Sequence, residues 1–170
     1  MSTNTRCYVD LAFLRTGKLE ETPAGALFLP VVDGGRRFLA GRLGDIQVLV
    51  ALDGDHAFHV APPADWSKSA GLIARKLRFE AEPKSAIECR DAASAPHGSL
   101  VLSDLGHMIV AFDQNGAKAV LLSDGVGETG IDQTNAVAFT SWQIVTDELA
   151  PVTLYASQTS PPTALPEVAS

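Results

Sequence analysis

The 170-residue sequence predicts one all-β domain, an antiparallel sandwich or barrel built from hairpins with at most one short helix. Three observations predict it. Paired turn residues recur between apolar runs, at Asp33-Gly34-Gly35, Asp53-Gly54, Leu105-Gly106, Asn115-Gly116 and Asp124-Gly125, and tight hairpin turns need the positive φ that glycine adopts at no steric cost. The runs between these turns have strand length and are rich in β-branched and aromatic residues, which suit a pleated surface. Some runs alternate in polarity, as a half-covered strand does, and others are apolar on both faces, as a central strand is.

In chain order the first run is 7–14, interrupted by Asp10, followed by 26–32, 38–41 and 46–52. The last of these is apolar on both faces and reads as central. Residues 56–60 form a short run beyond the Asp53-Gly54 turn. Within 72–82, Ile73, Leu77, Phe79 and Ala81 read as one buried face, with Lys76, Arg78, Glu80 and Glu82 on the wet side. Residues 65–77 also fit a helix: Asp65 can cap it, and Trp66, Ala70, Ile73, Ala74 and Leu77 recur at three-to-four spacing. One short helix is allowed there, with Gly71 and the later alternation keeping the second half as strand. Runs at 99–103, 107–112, 118–122, 137–146 and 152–156 bring the expected total to about ten to twelve strands. Residues 1–156 form the domain. Residues 157–170, with Pro161, Pro162 and Pro166 among Ser, Thr and Ala, read as an extended tail.

A chain of this length buries roughly 70% of its unfolded surface and needs no disulfide or metal staple. Its net charge of −7 repels phosphate backbones and anionic head groups, so neither nucleic acid nor a membrane is an expected partner. The basic groups Arg36, Arg37, Arg42 and Arg75, Lys76, Arg78 read as solvated strand edges or turns. The polar start 1–6 and the short apolar runs show no leader or spanning segment, which points to the cytoplasm or an assembled particle. Cys7 and Cys89 lack metal-site spacing and read as two reduced, buried thiols.

No motif here specifies chemistry. Gly125-Val126-Gly127-Glu128-Thr129-Gly130 matches the spacing of a dinucleotide loop, but residues 131–141 carry no helical apolar stripe to follow it, so a surface loop is expected and no cofactor. Asp53 and Asp55 lack the further oxygen ligands that calcium requires. On a strand, His56 and His59 would point to opposite faces, which disfavours a shared metal. His97 and His107 sit at turns and read as solvated, and no nucleophile elbow is present. No catalytic residue or metal ligand is therefore assigned.

Two functions remain. The first is non-catalytic protein–protein assembly, as a homo-oligomer or as a structural component of a larger particle. The alternative is a ligand-binding sandwich or barrel holding a carbohydrate or small molecule near Asp55, His56, His59 and Trp66, while Trp142 belongs to the core.

Overall fold

The computed structural model describes residues 14–31, 36–61, 70–123 and 136–157. Among them, fourteen strands alternate with turns, and the only helical pieces are three single 3-10 turns. The strands are β1 (Leu14–Lys18), β2 (Leu27–Pro30), β3 (Phe38–Leu43), β4 (Ile46–Ala51), β5 (Val60–Ala61), β6 (Ala70–Ala74), β7 (Leu77–Ala81), β8 (Ala86–Cys89), β9 (Leu100–Ser103), β10 (Gly106–Asp113), β11 (Gly116–Leu121), β12 (Ala136–Phe139), β13 (Trp142–Thr146) and β14 (Thr153–Ala156). The pairings between them are antiparallel. No helix among the described residues is long and apolar enough to cross a membrane.

The larger sheet runs β1-β6-β2-β3-β11-β10-β9-β12-β8, and β4 adds to the other edge of β3 with β5 beyond it. That branch curls back. The Phe112 amide donates to the Phe58 carbonyl (2.8 Å), and His59 makes a parallel bridge to Phe112. β3, β4, β5, β10 and β11 therefore close into a small ring, the arrangement that removes exposed sheet edges. Leu39, Val48, Val50, Ile109 and Val120 point inward, as the pleat requires of residues paired in this register. The smaller sheet, β14-β13-β7, packs against the larger one through a shared core. It contributes Leu77, Phe79, Trp142, Ile144 and Tyr155 to the same core. Two further apolar layers cover the outer faces, one around Phe28, Phe38 and Ile73, the other around Val101, Met108 and Val110.

The all-β expectation holds, with more and shorter strands than the runs suggested. Gly54, Gly106 and Gly116 take positive φ at turns as expected. The turns at 33–35 and 124–125, the Gly125–Gly130 loop, Cys7 and residues 158–170 lie outside the described residues.

Three expected strands need correction. Residues 72–82 are two strands in different sheets. β6 ends at Ala74, Lys76 has φ 56, and β7 begins at Leu77. Ile73 packs against the outer layer, while Leu77 and Phe79 face the central core. The polarity pattern hides this break because 73 and 77 are in phase, so alternation runs on across the reversal. Residues 137–146 likewise divide into β12 and β13. The corner is held by the Ser85 hydroxyl, which accepts from the Ser141 amide at 3.1 Å and sits 3.3 Å from the Ser141 carbonyl, and such corners are where strands change sheets. Residues 56–58 form a turn rather than a strand. In the segment that also fitted a helix, 70–74 is strand, and 65–69 lie outside the described residues.

Candidate functional site

Of the residues expected to bind a ligand, Asp55, His56 and His59 share one exposed turn, whereas Trp66 lies outside the described residues. Because this segment is a turn, the opposite-face argument fails, and the rings of His56 and His59 lie edge to face at 5.6 Å. His97, read from the sequence as solvated, completes the row at 5.9 Å from His59 and 4.4 Å from Phe112. Its Nε2 lies 3.0 Å from the Phe58 carbonyl, and His59 Nδ1 lies 3.2 Å from the Ala57 carbonyl. Two of the three imidazoles thus already spend a nitrogen on backbone. Among the described residues no group of three or more His, Cys, Asp or Glu is arranged to hold a metal ion.

A polar joint forms at Asp53, two residues before Asp55. Arg37 donates from Nε to Asp53 Oδ2 (2.8 Å), from Nη2 to Asp53 Oδ1 (2.7 Å) and from Nη1 to the Leu154 carbonyl (2.5 Å). Its guanidinium also lies 5.5 Å from the centroid of the Tyr155 ring. One side chain thereby ties β14 of the small sheet to the loop after β4. The pair with Asp53 holds the Arg37 pKa above its ordinary value. Burial, reinforced by the Asp53 charge, pushes the Tyr155 hydroxyl up to about 12.

This shift has a definite sign. The folded state binds the Tyr155 proton more tightly than the unfolded state, whose value is near 10. The resulting stability is complete below pH 10 and is lost as pH rises from about 10 to about 12. Absorbance titration at 295 nm should show one tyrosine ionising above the ordinary range. In Tyr155→Phe that late step should vanish, and the fall in urea midpoint between pH 10 and 12 should be shallower. An unchanged titration curve would contradict the assignment.

Cys89 is half-buried and unbridged, and burial raises its thiol pKa, which is the wrong direction for a nucleophile.

A larger concavity lies elsewhere among the described residues. A groove of about 620 Å³ opens between the edge strand β7 and the larger sheet. Its apolar wall comes from Leu77, Phe79 and Ala81 on one side and Leu100, Leu102 and Leu122 on the other. The volume lies within the range of roughly 300–1,000 Å³ usual for small-molecule sites. Among the described residues β7 pairs with β13 alone, so its other edge is left unpaired beside the groove. Its charged lining is Arg75, Lys76 and Arg78, His107 lines it too, and there is no carboxylate among the described residues that line it. Sequence reading placed the three cations on solvated edges. Lys76 and Arg78 are indeed exposed, but Arg75 is half-buried. A second hollow of about 330 Å³ at the end of the small sheet is lined mainly by polar residues, Glu80, Glu82 and Gln143 among them.

A family model described as "Uncharacterised protein y4lG" matches residues 16–153. The chain belongs to this family. It is similar to "Uncharacterized protein y4lG" of Sinorhizobium fredii (strain NBRC 101917 / NGR234), with 28% identity over 135 residues that cover 78% of this chain and 81% of the relative. No solved structure matches the chain. The matched span contains every residue that lines the groove and also the histidine row, whereas the C-terminal tail falls beyond it.

Proposed function

We propose that the chain is a non-catalytic binding domain that holds a small, largely apolar molecule in the groove between its two sheets. The observation that carries this reading is an apolar cleft of ligand size with a few charged groups at its rim, the usual composition of such sites. The aromatic turn around His56, His59 and His97 supports the reading less, because its rings stand exposed on a surface rather than around a cavity. Assembly, the other expectation, would draw on exposed apolar residues such as Ile46, Ile87 and Leu149, and no observation favours it over the groove.

The test uses a neutral apolar dye, N-phenyl-1-naphthylamine, titrated with the full chain. Its emission should rise and shift to the blue at micromolar protein. Leu102→Gln removes apolar lining at a half-exposed position and should weaken dye binding about three- to tenfold, a fraction of the value of one fully buried leucine. No enhancement with the wild type, or an identical affinity in Leu102→Gln, would count against the groove.

A further inference from the structure

We infer that the groove selects an anionic amphiphile, a chain-like or ring-bearing apolar body ending in a carboxylate, and that Arg75 and Lys76 receive the carboxylate. This rests on the proposed reading that the groove is the binding site, and it adds the sign and position of the ligand's charge. Arg75 follows β6 directly and lines the groove. Its Nη2 donates to the Glu21 carbonyl at 3.2 Å, while its Nε is closed off from solvent without a hydrogen-bond partner among the described residues. A guanidinium carries five N–H donors, and a buried donor left unmade is costly. Nε, shut away from solvent, is shut away from a ligand as well, so a carboxylate in the groove would meet the guanidinium through its Nη groups, whose planar fork and charge suit it.

Lys76 supplies a second reason. It has φ 56, a left-handed conformation that a side chain with a Cβ adopts at a cost and that glycine or asparagine would take more readily. The Asp147 amide donates to its carbonyl at 2.8 Å, which fixes the backbone but leaves the choice of lysine unexplained. A cation at this mouth gives the strained position a use. Arg78, the third cation, is already engaged by Glu80 (2.9 Å) and Asp147 (3.6 Å), so it is not assigned to the ligand. In a chain of net charge −7, a groove whose described lining is cationic without any carboxylate runs against the general field. A neutral apolar ligand would gain nothing from that arrangement, whereas an anion would.

Calorimetric titration of the full chain with decanoate, decanol and decyltrimethylammonium separates the two claims. Decanoate should bind about tenfold or more tightly than decanol, the cationic amphiphile most weakly, and the decanoate affinity should fall as salt rises. Lys76→Gly removes the charge while relieving the backbone, so it should lose three- to tenfold in decanoate affinity with no loss of thermal stability. Arg75→Gln should lose tenfold or more for decanoate, leave decanol unchanged and be partly rescued in Arg75→Lys. If decanol and the neutral dye bind but decanoate gains nothing, or if both substitutions leave decanoate affinity intact, the anion assignment is overturned and the groove stands. If none of the three amphiphiles nor the dye binds, the groove reading falls as well.

Discussion

Trp142→Ala should destabilise the chain by about 3–5 kcal/mol, the range for removing a large aromatic side chain from a packed core. Trp142 is 3% exposed. It stands on β13 of the small sheet, yet its ring reaches Tyr155 at 5.2 Å, Phe79 at 6.3 Å and Phe58 at 6.4 Å, so it spans from the small sheet to the closing point of the ring. Its Nε1 donates to the Gly98 carbonyl at 2.8 Å, a buried bond between segments distant in sequence. Truncation removes the ring contacts and leaves that carbonyl without its donor. Trp142→Phe separates the two losses: it keeps most of the apolar volume and should cost about 1–3 kcal/mol, from the unpaired carbonyl and a smaller void. Urea unfolding followed by circular dichroism measures both. Because single domains have a total stability of about 5–15 kcal/mol, the alanine variant should show a much lower midpoint. A midpoint unchanged in Trp142→Ala would mean that the two sheets are not joined through this residue.

The fold class was legible because it depends on local chemistry. A glycine that must take positive φ is visible at 54, 106 and 116 without any neighbour being known. The core role of Trp142 was legible from its place in an apolar run. What escaped were features set by pairing between distant segments. Nothing local distinguishes 72–82 as one strand from β6 and β7 in separate sheets, since the break falls at Lys76, a residue type with no turn preference. The groove escaped for the same reason. Leu77 and Phe79 meet Leu100 and Leu102 only after the small sheet has been laid over the larger one. His97 is exposed, as the sequence suggests, and what no local pattern shows is its contact with the Phe58 carbonyl, 39 positions away.

That carbonyl belongs to Phe58, one of two non-glycine residues with positive φ among the described residues, and Gly98 is the residue that makes room for its ring. Phe58 has φ 60, unfavourable for an aromatic residue by about 1–3 kcal/mol unless its surroundings enforce it. They do so. The Phe58 amide donates to the Ala51 carbonyl at 2.6 Å, its carbonyl accepts from the Phe112 amide at 2.8 Å, and its ring packs on the central core. The ring cannot easily retreat. Gly98 lies against it with φ +78, and a Cβ there would come within 2.7 Å of the Phe58 ring. Gly98→Ala should therefore cost about 2–4 kcal/mol, combining left-handed backbone at alanine with overpacking against a pinned ring. The two contributions can be separated by a double-mutant cycle. In a Phe58→Ala background the ring is gone, and Gly98→Ala should then cost only the backbone part, about 1–2 kcal/mol, so the two substitutions should couple by about 1–2 kcal/mol. Additive effects would place the Gly98 constraint in its own turn alone. Coupling would locate it in the contact that fixes Phe58, and with it the closure of the ring and the position of His97.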